Sequence, residues 1–488
     1  MNRFIKRCFS ALTITAVGTM LSAGVVSAGS QPDDQGRPHK DRPEVQLHQD
    51  AKNSNDTAQD SVADAHSRQV NKNLPFSLLS IGDLKDHKDP KGYKDHKDPK
   101  DHKDPKGHKD LVDQSNTAHN LAVSGNDNVT LQGIQQVAEQ ADGTHGGATG
   151  DIDQDAKNKN GTQQRSAADA SSEQKNLNAP VSILSIGSNN GDVDQSNKAH
   201  DVALSNNGNY TDQSIFQAAD QKVDGKHGQD GHPSKDGHPS KDGKGADIDQ
   251  DAKNINSTQQ SSAAQASSEQ KNVNLPISIL SIGSNNGDVD QSNKANNKAV
   301  SGNDNLTLQG IDQTAAQKGA GGDIDHDAKN KNDTSQDSWA DASSTQTNVN
   351  VPVSILSIGS NNGDVDQSNS AHNTAVSGNS NGTEQGVEQV AAQEADGDKS
   401  HGKSDGGKSD GGKAEVDQAA KNANSTGQSS SASATSEQLN VNAPISILSI
   451  GANNGDVDQS NHANNGAGSF NSNGTGQWIG QLAGQPGG

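Results

Sequence analysis

Residues 158–178 read Asn158-Lys-Asn-Gly-Thr-Gln-Gln-Arg-Ser-Ala-Ala-Asp-Ala-Ser-Ser-Glu-Gln-Lys-Asn-Leu-Asn178. Taken every second residue, this is Asn158, Asn160, Thr162, Gln164, Ser166, Ala168, Ala170, Ser172, Gln174, Asn176 and Asn178. The same alternate residues return in the same order from Asn53, Asn254, Asn330 and Asn422. Residues between them vary freely, as Lys159, Arg165, Asp169 and Glu173 do here. A fixed set at every second position is the side-chain period of an extended strand, not the 3.6 of a helix. The fixed face packs; the varied face meets solvent.

A second arm follows each of these. In one copy it runs from Val289 through Asn303, Asn305, Thr307, Gln309, Ile311, Gln313, Ala315 and Gln317, again at alternate positions. Among its fixed positions only Asp201 (for Asn) and Val387 (for Ile) depart from the pattern. The string Asn-x-Asn-x-Thr-x-Gln occurs ten times, once in every arm. Alignment on the two arms gives repeat units 46–140, 151–221, 247–317, 323–393 and 415–485, the first enlarged by a Lys/Asp/His insert at 83–110. Segments 222–246 and 394–414 read as disordered linkers, and 29–45 as a disordered N-terminal segment.

A straight strand from Asn158 to Leu184 would be roughly 90 Å long, far beyond the five or six residues usual in globular sheets. The sequence therefore predicts that the run bends at corners. Each arm would make one coil, and ten coils would stack with identical Asn, Gln, Ser and Thr laddered about 4.8 Å apart. Proline cannot donate to a ladder, so the column Pro75, Pro180, Pro276, Pro352 and Pro444 belongs at a bend or edge. Gly187 to Gly191 carries turn chemistry, and the apolar residues Val181, Ile183, Leu184 and Ile186 are expected to form the seam of the stack. The fold class is all-β: a repetitive β-solenoid or cross-β module with polar ladders, joined by Gly/Lys/Asp/His-rich linkers.

Composition agrees with a core of this kind. The 488 residues carry a net charge of −22, are 27% hydrophobic, and include 52 glycines but only nine aromatics (Phe 5, Trp 2, Tyr 2). That is too little apolar bulk for the several cores that such a length normally holds, and it argues against an ordinary enzyme. Arg3, Lys6 and Arg7, an apolar stretch from Leu12 to Val26, and Val26-Ser27-Ala28 read as a secretory signal peptide over 1–28. The sole cysteine, Cys8, lies inside it, so disulfides and thiol chemistry are absent from the expected mature chain.

The rhythm Val-x-Gln-x-Asn-x-Ala, followed by further Gln and Asn on the same face, resembles curlin-type repeats of secreted bacterial amyloid fibres. The units here are longer, and only Gln132-Gly133, Gln309-Gly310 and Gln385-Gly386 echo the family's Gln-x-Gly turn. The resemblance implies a secreted β-solenoid able to polymerise at the cell surface.

Several motifs suggest chemistry. Two P-loop matches, beginning at Gly397 and Gly402, fall in a Lys-Ser-Asp-Gly-Gly linker rather than between a strand and a helix. His87, His96, His102, His108, His232 and His238 sit in Lys-flanked tracts that read as solvated linker, with Zn²⁺ or Cu²⁺ capture the alternative. Asp192 and Asp194, with their copies Asp288, Asp290, Asp364, Asp366, Asp456 and Asp458, place oxygens at alternate positions as calcium loops do. No Glu closes that loop at EF-hand spacing, so turn-to-strand chemistry competes with Ca²⁺ binding. No catalytic constellation, cofactor motif, basic patch or stacking aromatics for nucleic acid stands out. The expectation is a secreted, noncatalytic structural repeat protein of an extracellular or cell-surface matrix. It would act by self-association or adhesion, with itself or other matrix components as partners and no membrane span after leader cleavage. The alternative is an acidic extracellular metal-binding module.

Overall fold

The computed structural model describes residues 13–14, 20–27, 46–79, 111–141, 150–187, 191–222, 246–283, 286–319, 322–359, 361–394, 415–451 and 453–484. The insert, all but the end residues Lys222, Ala246 and Glu394 of the two linkers, the segment 29–45, the six tract histidines and both P-loop matches lie outside them.

The first arms are single strands of 27 residues: β3 (Leu47–Asn73), β6 (Ile152–Asn178), β9 (Ile248–Asn274), β12 (Ile324–Asn350) and β15 (Val416–Asn442). They form one parallel sheet in the order β15-β12-β9-β6-β3. The second arms are β5 (Leu111–Ala141), β8 (Asp192–Lys222), β11 (Val289–Lys318), β14 (Val365–Glu394) and β17 (Val457–Gly484), which form a second parallel sheet in chain order. Register is unbroken, with Asn53 beside Asn158, Asn254, Asn330 and Asn422 in turn. Two short strands, β1 (Thr13–Ile14) and β2 (Met20–Ser27), pair with β5 at Asn128–Val129 and Ile134–Ala141.

The two sheets face each other with their strands antiparallel. Asn53 Nδ2 reaches the carbonyl of Gly133, whereas Gln69 Nε2 reaches that of Thr117, so the facing residue number falls as the arm advances. Each unit is thus one rung: an arm out, a corner, and an arm back in the opposite sheet. The chain is a repetitive β-solenoid of five rungs. This corrects the expectation of ten coils. The arms do not bend within themselves: small residues and laddered amides fill most of the packing face, aliphatic columns such as Ile152/Ile248/Ile324 and Ile134/Ile215/Ile311 fill the rest, and no proline interrupts the run.

At the corner sit the short strands β4 (Phe76–Leu78), β7 (Val181–Ile183), β10 (Ile277–Ile279), β13 (Val353–Ile355) and β16 (Ile445–Ile447), which form a third parallel sheet. The proline column lies just before them, outside any strand, as its missing N–H requires. Leu79, Leu184, Leu280, Leu356 and Leu448 all adopt φ between 52° and 59°, a left-handed conformation that a leucine holds only under constraint. The turn glycines Gly191, Gly287, Gly363 and Gly455 also have positive φ, and a Cβ on Gly287 would lie 2.0 Å from the carbonyl oxygen of Gly191. Only glycine allows that approach.

The apolar seam is the second correction. Ser182 and Ser185 point inward and are buried, whereas Leu184 and Ile186 are 46% and 38% exposed. Val181 and Ile183 fall on the outer phase of the period-two pattern, and the left-handed leucine turns the chain so that Ser185 faces in. The apolar residues therefore form an exposed ridge along the corner rather than a buried seam.

Candidate functional site

The interior between the sheets is built mainly from amides, hydroxyls and alanine, with a few isoleucine and valine columns such as Ile152/Ile248/Ile324 and Val193/Val289/Val365. Ala168, Ala170, Ala203 and their copies pack at its centre, where the sheets need small side chains. On either side run the ladders. Asn158 Nδ2 accepts nothing and donates twice, to Asn254 Oδ1 at 3.0 Å and to the facing carbonyl of Ser214 at 3.0 Å. Asn254 repeats this to Asn330, and Asn330 to Asn422, at 3.0 Å each. The Asn160 column does the same through Asn256, Asn332 and Asn424 at 2.7–2.8 Å. In the other sheet Asn303 donates to Asn379 at 2.8 Å and Asn305 to Asn381 at 2.7 Å. Asparagine columns thus donate from rung 1 towards rung 5.

Glutamine columns run the other way. Gln260 donates to Gln164 and Gln164 to Gln59, both at 2.8 Å. Gln309, Gln313 and Gln317 donate to Gln213, Gln217 and Gln221 at 2.8–2.9 Å. Each amide also bonds a carbonyl of the facing sheet, as Gln164 does with Gly208 and Gln309 with Lys331. Those carbonyls fix which way the amide is turned, and so fix the direction of the column. Thr162 and Thr307 accept from Asn residues of both arms, such as Asn160 and Asn128 for Thr162, tying the sheets together. The asparagines that precede these threonines by two residues are buried structural groups in the middle rungs, as Asn160, 1% exposed, is.

Two columns are interrupted. Asp201 replaces asparagine in rung 2, fully buried, accepting from Asn120 Nδ2 at 2.8 Å and from Ser172 Oγ at 2.6 Å. An ionised carboxylate cannot donate onward, and the column stays unbonded as far as Asn373: Asn297 Oδ1 and Asn373 Oδ1 are both buried without a partner, because Asn297 donates to Ser268 and Ser343 instead. Burial pushes the Asp201 carboxyl up to about 6, despite the hydrogen bonds from Ser172 and Asn120 that favour its charge. The second interruption escaped the sequence reading. His326 stands in rung 4 where rungs 1, 2, 3 and 5 have Gln49, Gln154, Gln250 and Gln418. It is fully buried, neither ring nitrogen has a partner, and Gln250 Oε1 is orphaned beside it. Burial pushes its imidazole down to about 4. The signal was available as a single departure in an otherwise constant column.

The aspartates with calcium-loop spacing lie on the outer phase of their strands. Asp192, Asp288 and Asp364 each accept the backbone N–H of the next rung's aspartate, Asp288, Asp364 and Asp456, at 2.9–3.2 Å. That is turn-to-strand chemistry. Asp194, Asp290, Asp366 and Asp458 stack in register with Asp113. The carboxyls of Asp194 and Asp290 are raised, first by burial and then by the carboxylates beside them. On the other sheet Asp249 is pushed up to about 6 by burial and by Asp325, Asp153, Asp251 and Asp327. Among the described residues no group of three His, Cys, Asp or Glu is placed to hold a metal ion.

The ladders end where the chain runs out of rungs. The rung-5 strands β15 and β17 form one edge of the stack; at the other, β3 is the edge of its sheet, while β5 carries β1 and β2 of the leader segment along part of its length. Comparison of the chain with protein-family models, curated proteins and solved structures finds no match.

Proposed function

We propose that this is a secreted, noncatalytic structural repeat protein of an extracellular or cell-surface matrix, acting by self-association and adhesion. The observation that carries the reading is the in-register ladder interior together with its end rungs, open at rung 5 and, once the leader strands β1 and β2 are removed, at rung 1. A sheet edge with unpaired N–H and C=O groups is a template for another chain, and stacked identical side chains are the interior of cross-β assemblies. The cationic and apolar leader supports export, and the resemblance to curlin-type repeats points to the same class of protein. The exposed corner ridge of Leu184, Ile186 and their copies supports adhesion to an apolar surface, since such a patch is unusual on a soluble monomer.

The test is far-UV circular dichroism and thioflavin T fluorescence on the chain from Gly29 onward, over a concentration series, with and without EDTA. A β signal with concentration-dependent dye binding, indifferent to EDTA, is the expected result. A β signal without assembly would leave adhesion alone. Order that requires Ca²⁺ or a transition metal would favour metal capture by the stacked aspartates and overturn the proposal.

A further inference from the structure

We infer that the partner at each end rung is a second copy of this chain, docked head to tail with rung 5 of one molecule in register on rung 1 of the next. This rests on the self-association proposed above and specifies its geometry. Three independent features of the end rungs fit it.

The first is ladder polarity. Asparagine columns donate towards rung 5, so that edge presents amide donors such as Asn473 and Asn440. Rung 1 presents the matching acceptors: Asn128 Oδ1, in the column of Asn473, has no hydrogen-bond partner although β1 lies beside it in the full chain, and removal of the leader leaves it facing the joint. Glutamine columns reverse the roles, so Gln59 of rung 1 would donate to Gln428 of rung 5. Every column continues in its own direction.

The second is size. On the outer face rung 5 carries Phe470 and Trp478, bulky residues in columns where rung 4 has Gly378 and Gly386. The rings lie against those glycines, where a Cβ would come within 2.3 Å of Phe470 and 2.5 Å of Trp478. Rung 1 has Gly125 and Gly133 in these two columns. Only a head-to-tail stack places glycine on both sides of each ring. The converse also holds: Leu121 and Leu131 of rung 1 would meet Gly466 and Gly476 of rung 5.

The third is charge. Arg68 of rung 1 already pairs with Glu173 of rung 2 at 3.1 Å, and in the joint its other neighbour would be Glu437. The rung-1 aspartates Asp56, Asp60 and Asp64 would meet Ser425, Ser429 and Ser433. Lys52 beside Lys421 and Asp113 beside Asp458 are like-charge contacts, of a kind the chain already contains between its own rungs. A two-fold joint would reverse the strands and lose register in every column. Head-to-tail contact is heterologous and does not close, so it grows as a filament.

Leu47 N–H donates to rung 2, as Ile324 and Val365 N–H do to rung 5. By strand alternation, inner-face residues turn their N–H towards the next rung and outer-face residues towards the previous one. Val62 and Leu121 in rung 1, and Ala434 and Ala467 in rung 5, therefore have N–H groups that face no rung of their own chain. Proline at an edge is tolerated within a strand but blocks pairing there. The chain from Gly29 is used, because β1 and β2 otherwise lie on the β5 edge.

Analytical ultracentrifugation on three samples tests the joint: the unsubstituted chain, a head-blocked Val62→Pro/Leu121→Pro variant, and a tail-blocked Ala434→Pro/Ala467→Pro variant. The unsubstituted chain is expected to grow beyond dimers with concentration. Each variant alone should stay monomeric, and their equimolar mixture should stop at dimers. A second head block without proline, Gly125→Phe/Gly133→Trp, should behave as the first, and far-UV circular dichroism checks that each monomer keeps its strands. Dimers of a single blocked variant, or growth like that of the unsubstituted chain, would overturn the head-to-tail joint and leave self-association standing. A chain that stays monomeric at every concentration would overturn both.

Discussion

Four residues apart in the same sheet, two columns behave differently. The column of Asn53, Asn158, Asn254, Asn330 and Asn422 bonds without a break from rung 1 to rung 5. The column of Gln49, Gln154, Gln250, His326 and Gln418 bonds through its first three members and stops. In a ladder each amide satisfies the rung above and the rung below, so one wrong side chain orphans atoms on its neighbours as well as its own. A conventional core loses contacts in proportion to the volume removed; this one loses hydrogen bonds in pairs.

The intact column is the place to do most damage. Asn254→Leu removes the acceptor of Asn158, the donor to Asn330, and bonds to two facing carbonyls. Two buried polar groups left unpaired at about 1–3 kcal/mol each give an expected loss of about 4 kcal/mol in chemical denaturation.

Repairing the Asp201 interruption should do the opposite. Asp201→Asn removes a buried carboxylate and supplies an amide of the kind the rest of the column carries. The folded-state pKa is raised, from 3.8 to about 6, so the fold binds the proton more tightly than the unfolded chain does. The penalty is therefore absent below pH 3.8, grows as pH rises, and is complete above about 6. At 1.36 kcal/mol per unit, the substitution should stabilise the fold by about 3 kcal/mol at pH 7 and by much less at pH 4. A gain that does not depend on pH would show that Asp201 is not the titrating group.

His326→Gln should restore the column of Gln49, Gln154, Gln250 and Gln418, with a gain of about 2 kcal/mol at pH 7 from the orphaned groups it pairs. Its pH dependence has the reverse sign. The folded-state pKa is lowered, from 6.5 to about 4, so the neutral ring is favoured in the fold; that stability is intact above pH 6.5 and lost as pH falls towards 4. The gain from His326→Gln should thus grow on acidification, while that from Asp201→Asn shrinks. Parallel urea melts of the two variants from pH 4 to 7 read the crossing directly.

The smallest effect is expected one residue from the largest. Ile255 lies on the outer face beside Asn254, and Ile255→Ala should change stability by no more than about 0.5 kcal/mol. A loss as large as that of Asn254→Leu would mean that the outer face carries the stability.

Much of this was legible beforehand. Period two over more than a dozen positions in five copies identified the strands, the packing face and the columns, because a β-strand is the only regular structure in which alternate residues share a side. Even the outward turn of Val181 and Ile183 was present in that phase, although their apolar character suggested a buried seam. His326 was equally visible as the odd member of a constant column.

What the sequence by itself determined was therefore which residues face inward and that identical ones meet. Alternation is the same for a straight strand and for one bent at corners, so the pattern could not choose between ten coils and five straight-armed rungs. That choice required the facing sheet: antiparallel arms set each amide against a backbone carbonyl, which holds the run straight and fixes the direction of its ladder. The polarity of the stack, and with it the difference between its two ends, is a property of that packing and of no single arm.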